Sequence, residues 1–128
     1  MRNLIFVTLF PFISYCQTLD CTKFKTGEFY YPQIPNAGYS VRNEDKQISY
    51  YMPSGAIVTY KVEWMDVCKF KLVYDKTEGA ESRNKVGDTI FCEIVETTDE
   101  CYKFKAIAFS VDYPEGKQYP NGEMCFKK

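Results

Sequence analysis

Between Ala56 and Trp64 the chain alternates: Val58, Tyr60, Val62 and Trp64 fall on one side, and Thr59, Lys61 and Glu63 on the other. A period of two is that of a half-buried antiparallel strand. Cys68, Phe70, Leu72 and Tyr74 repeat it with Lys69 and Lys71 between them, after a turn at Met65-Asp66-Val67. The same period predicts a strand over Lys23–Tyr31, with a bulge at Gly27, where the apolar phase shifts from Phe24 to Phe29 and Tyr31. Tyr39–Asn43 and Lys46–Met52 read as a hairpin with an exposed Glu44-Asp45 tip. Its apolar set, Tyr39, Val41, Ile48, Tyr50 and Met52, is expected to face inward. A polar loop over Lys76–Lys85 precedes a further hairpin, Val86–Glu96 and Cys101–Val111, folded about Thr97–Glu100. Turn signals at Pro114-Glu115-Gly116 and Pro120-Asn121-Gly122 lead to a closing strand at Met124–Phe126. No segment carries a convincing helical period.

Seven or eight sequential strands joined mostly by short turns predict an all-β fold, an up-and-down antiparallel meander. Such a sheet must cover or remove its edges. Curling into a small barrel or a strongly curved half-barrel does so, and a β-sandwich is the alternative. Cys21–Lys25, Cys68–Lys71 and Cys101–Lys105 share a Lys-Phe-Lys core after a cysteine, which puts three cysteines at one end of the sheet. Simple polar–apolar alternation accounts for that repetition.

The N-terminus departs from the strand pattern. Arg2 precedes an apolar run from Leu4 to Tyr15, interrupted by Thr8, Pro11 and Ser14. The run is shorter than the ~20 residues that span a bilayer. With small residues at Ser14 and Cys16 it matches a secretory signal over residues 1–16, leaving residues 17–128 as a single β domain. The expected destination is the periplasm or the medium. A lipid anchor on Cys16, making an outer-membrane lipoprotein, is the rival, and the bulky Tyr15 argues against it. No second apolar stretch approaches spanning length. The formal net charge is −1 and becomes more negative once Arg2 is removed, so no nucleic-acid partner is expected.

Six cysteines in a short exported chain imply disulfides. Processing removes Cys16, and the odd number left means that at least one thiol is free or pairs outside the chain. With Glu96 opposite Cys101, Cys92 lies roughly 13 Å deeper along its strand, beyond the ~7 Å that a bridge can cover. Cys68 and Cys101 begin strands about 9 to 10 Å apart. The remaining geometry favours Cys21 with Cys68 and Cys101 with Cys125, leaving Cys92 buried in phase with Ile90 and Ile94.

Cys21-x-Lys23-Phe24-Lys25-Thr26-Gly27-x-Phe29, followed by Trp64 and Cys68-Lys69-Phe70, resembles a family of short exported bacterial proteins of unknown function. Some of its members carry an inherited label as a DNA topoisomerase subunit. A short, exported, net-acidic chain has no room for an ATPase and a strand-cleaving domain and lacks the basic surface that DNA binding needs. Gly27-Glu28-Phe29 is also similar, more remotely, to the Gly-x-Trp of lipocalin-like barrels, whose first-strand Trp packs beneath an Arg from the last strand. That resemblance implies a barrel architecture, although no Arg follows Arg83.

Histidine is absent, which removes the commonest general base and metal ligand. The paired carboxylates Glu44-Asp45 and Asp99-Glu100 sit on turn tips, where acidic residues are ordinary solvated turn formers. No enzymatic activity, cofactor or metal is therefore expected. Eleven tyrosines and ten phenylalanines leave two readings open. In the first, Tyr50, Val58, Tyr60, Val62, Phe70 and Leu72 line the interior and bind a small apolar molecule. In the second, an outer aromatic and lysine face meets an envelope or extracellular protein or a glycan. An eight-stranded barrel is only just wide enough for its own side chains or one small ligand.

The exported protein should begin at Gln17. Intact mass of material recovered outside the inner membrane checks this; retention of Met1 or a diacylglycerol on Cys16 would contradict it.

Overall fold

The computed structural model describes residues 19–128; the expected signal peptide, residues 1–16, lies outside the described residues. A single 3-10 turn, Thr22–Phe24, precedes β1 (Gly27–Tyr30), β2 (Gly38–Arg42), β3 (Lys46–Tyr51), β4 (Ile57–Asp66), β5 (Lys69–Glu78), β6 (Thr89–Thr97), β7 (Cys101–Phe109), β8 (Lys117–Gln118) and β9 (Gly122–Phe126). Each strand from β1 to β7 pairs antiparallel with the next, and β9 closes the ring between β7 and β1. The result is an eight-stranded up-and-down barrel, with β8 as an extra two-residue strand on β7. Closure leaves no continuous edge for a second sheet to cover, so the fold is a barrel and not a sandwich. Among the described residues no helix is long and apolar enough to cross a membrane.

The central strands follow the alternation. Val58, Tyr60 and Val62 of β4, Phe70, Leu72 and Tyr74 of β5, and Cys92 and Ile94 of β6 are buried together. Elsewhere the structure corrects the pattern. Lys23–Phe24 belongs to the 3-10 turn and the first strand begins only at Gly27, so the phase shift there marks a change of element. That turn drives Phe24, fully buried, into one end of the barrel, where its ring meets Tyr102 and Phe126 at centroid distances of 5.1 and 5.2 Å. β5 runs on to Glu78, so the polar loop starts at Gly79. In the β6–β7 hairpin Glu96 faces Lys103, because a bulge at Val95 shifts the register, and Cys92 faces Ala106.

The β2–β3 hairpin is inverted relative to expectation. Ser40, Arg42, Gln47 and Ser49 are buried, while Tyr39, Val41, Ile48 and Tyr50 face outward and Met52 is exposed in the following turn. Alternation defines two faces but not which one is inside. The neighbours decide it, since directly opposed residues share a face. Gln47 and Ser49 oppose the inward Tyr60 and Val58 of β4, and Ser40 opposes the inward Phe29 of β1. Each face is also internally matched: Ser40 and Ser49 hydroxyls hydrogen-bond at 2.8 Å, and Tyr39 stacks on Tyr50 at 4.9 Å.

Two disulfides brace the end that Phe24 plugs. Cys21–Cys68 ties the 3-10 turn to the β4–β5 turn, and Cys101–Cys125 links β7 to β9, with Cα separations of 5.2 and 4.0 Å. Cys125 is the direct cross-strand neighbour of Cys101, held there by the β7–β9 ladder. Closing loops of 47 and 24 residues corresponds to about 3 to 4 kcal/mol each on the chain-entropy account. Cys92 is free and buried.

Trp64 packs at this same end, its ring 4.6 Å from Phe70 and 5.4 Å from the Lys25 ammonium, with a buried indole N–H that has no acceptor among the described residues. Trp64→Ala should cost about 3 kcal/mol or more, lowering the melting temperature by roughly 10 °C. Trp64→Phe should cost much less, because it keeps the ring contact and removes the unsatisfied donor. Calorimetry of both variants checks this; an unchanged Trp64→Ala would show that the contact contributes nothing.

Candidate ligand-binding cavity

The barrel interior is hollow above its plugged end, with a cavity of about 410 Å3. Small inward side chains make the space: Ser49 on β3, Cys92 on β6, Ala106 on β7 and Gly122 on β9 all line it. Tyr31, Tyr51, Asn84 and Tyr119 stand round its upper part, where the β5–β6 loop and the tail cross the barrel mouth. Tyr51 and Tyr119 remain partly open to solvent.

Of the residues expected to line a ligand site, Tyr60, Phe70 and Leu72 do line the cavity. Val58 and Val62 are buried in the surrounding core. Tyr50 lies on the outer face against Tyr39, a consequence of the hairpin inversion, and so is not an interior residue.

Arg42 sits in the cavity wall and is 2 % exposed. Its Nε donates to Gln47 Oε1 at 2.8 Å, one terminal nitrogen donates to the Phe24 carbonyl at 2.9 Å, and the other to the Tyr102 hydroxyl at 2.8 Å. The Tyr102 hydroxyl in turn donates to the Met124 sulfur at 3.3 Å. The guanidinium carbon lies 4.8 Å from the Phe29 ring centroid and 4.5 Å from that of Phe70, within cation–π range. Arg42 makes no ion pair among the described residues, and residues 1–18 contain no Asp or Glu. The cavity therefore has a cationic floor with no internal counter-charge.

With Tyr39 and Val41 expected inward, the alternation gives no sign that Arg42 is buried. Complementarity across the hairpin was the available signal: Ser40 opposes Ser49 and Arg42 opposes Gln47, two pairs able to satisfy each other in a dry interior. The arginine packed over Phe29 thus comes from β2, not from the last strand.

The Cys92 thiol and the Tyr31, Tyr60 and Tyr102 phenols on the cavity wall are held protonated. Burial pushes the Cys92 thiol from 9.0 up to about 12, with Arg42 partly opposing the shift. Burial likewise raises Tyr31, Tyr60 and Tyr102; the neighbouring Tyr51 phenol adds to the rise at Tyr31 and Tyr60, and Arg42 opposes it at Tyr31 and Tyr102. In the unfolded chain these groups lose protons above about pH 9 for Cys and pH 10 for Tyr. The folded chain keeps its protons, so the unfolded state binds fewer and stability falls as pH rises. Stability should hold from pH 7 to about 9 and then decline, each group contributing up to about 1.4 kcal/mol per pH unit. Cys92→Ala should move the onset to about pH 10, and denaturant titrations across pH 7–12 on both proteins check it.

No protein-family model, curated relative or solved structure matches the chain.

Proposed function

We propose that this protein is an exported, non-catalytic carrier that holds a small apolar ligand inside its barrel. The observation that carries this reading is the cavity of about 410 Å3 inside the barrel, with tyrosines and phenylalanines on its wall, which falls within the ~300–1,000 Å3 of small-molecule sites. A barrel of eight strands can be filled by its own side chains, so small residues at four inward positions favour an occupant. The wall supports a non-catalytic role: it carries neither carboxylate nor histidine, and its thiol and buried phenols stay protonated at neutral pH. Two disulfides are compatible with an oxidising destination.

A second reading draws on the outer face. Lys127 lies 3.8 Å from the Tyr39 ring centroid beside the Tyr39–Tyr50 stack, next to a surface hollow lined also by Tyr30, Pro35, Asn36 and Met52. An aromatic and lysine surface of this kind suits a partner protein or a glycan in the envelope or outside the cell.

An uncharged fluorophore such as N-phenylnaphthylamine should bind saturably at one site and be displaced by small apolar compounds. Ala106→Trp, which fills the cavity from β7, should abolish that binding in a protein that still forms both disulfides. Dye binding that survives Ala106→Trp would place the site outside and favour the second reading.

A further inference from the structure

The carrier reading leaves the charge of its ligand unspecified, and Arg42 supplies it. A guanidinium presents five N–H donors, and three of the Arg42 donors are engaged, by Gln47, Phe24 and Tyr102. The side chain stays charged, is 2 % exposed, and has no carboxylate partner among the described residues. A buried charge without a counter-ion is among the costliest groups a fold can carry. The hydrogen bonds of Arg42 account for its position but supply no negative charge, which a ligand can bring. We infer that the ligand is a compact apolar or aromatic molecule with a single carboxylate, which enters between Tyr51 and Tyr119 and sets its head group against Arg42. This inference rests on the carrier reading above.

Three features narrow the class. The cavity wall holds one cation and no lysine, which suits a monoanion and not a doubly charged phosphate. A volume of about 410 Å3 lies near the lower end of the ~300–1,000 Å3 of small-molecule sites, which suits a compact single-chain or aromatic molecule and not a two-chain phospholipid. Above Arg42 the side of the wall that faces the polar β2–β3 hairpin is apolar or phenolic, through Tyr60, Leu72, Ile90 and Phe104. A neutral body can therefore desolvate there at little cost, and the charge–charge contact below it is strengthened by the same exclusion of water.

Competition against the uncharged fluorophore, with decanoate, decanol and decyltrimethylammonium as probes of nearly equal size, tests the inference. Decanoate should bind at least tenfold more tightly than decanol, and the cation more weakly than either. In Arg42→Met the advantage of decanoate over decanol should fall below about twofold. A second measurement needs no variant: the carboxyl carbon of isotope-labelled decanoate, followed by NMR, should titrate at lower pH when bound than when free, because the guanidinium favours the ionised form. Equal binding of decanoate and decanol, or a bound carboxyl that titrates at or above the free value, would overturn the carboxylate inference and leave the carrier reading standing. Failure of all three probes and of the fluorophore to bind would overturn both.

Discussion

The Arg42 guanidinium is the contact on which the lower half of this barrel depends. Through one planar group, β2 is tied to β3 at Gln47, to the 3-10 turn at the Phe24 carbonyl and to β7 at the Tyr102 hydroxyl, and the chain of bonds continues to Met124 on β9. Phe29 and Phe70 supply the ring faces it lies against. A charge held this deep persists only where every neighbour is arranged for it. Removing Gln47 or the Tyr102 hydroxyl would leave Arg42 donors without their protein partners, which costs about 1 to 3 kcal/mol for each buried group left unsatisfied. The network also fixes the 3-10 turn, because the Phe24 carbonyl has to point at Arg42 while its ring closes the barrel end.

That arrangement divides the barrel into two ends with different physics. At the plugged end lie both disulfides, the Phe24–Phe29–Tyr102–Phe126 aromatic cluster and the buried cation. The opposite end has none of these; a loop and a broken tail strand cross it instead. β8 and β9 lie on the same side of β7, yet their registers differ by one residue across Tyr119–Asn121. Pro120 has no N–H for a ladder bond, so the strand breaks there, beside the cavity. Local opening is expected where backbone pairing is thinnest, and the thinnest pairing is at the mouth.

Strand existence and the inward set of β4, β5 and β6 were legible because those strands alternate cleanly and bury apolar residues. The inward set of β2 and β3 was not, since the apolar face of that hairpin is the outer one. Tyr39, Val41, Ile48 and Tyr50 alternate as regularly as Val58, Tyr60 and Val62, and only register with β1 and β4 shows that they point away from the core. The same blindness hid Arg42 and moved Tyr50 out of the expected site. The first strand misled for a different reason: Phe24 and Phe29 are both fully buried, but one is delivered by a helical turn and the other by a strand. Cysteine pairing was more tractable. Strand spacing limits which sulfurs can meet, and the observed β6–β7 register, with Cys92 opposite Ala106, only moves Cys92 farther along the ladder from Cys101.

Hollowness and the buried charge have a common origin in side-chain size. Eight strands enclose a space that ordinary core residues can fill, yet the β2–β3 rungs contribute serines and a glutamine where the β4–β5 rungs contribute tyrosine, valine, phenylalanine and leucine. Opposite that polar wall, Cys92, Ala106 and Gly122 add little volume; Gly122 leaves room for the Phe104 ring, which a Cβ there would meet at 2.6 Å. Turning the hairpin's tyrosines inward would fill the barrel and leave Arg42 in solvent, and the barrel would then be an ordinary packed core. With the polar face inside, the space and the cation arise together, so the two properties that define the candidate site are one consequence of the register between β1, β2, β3 and β4.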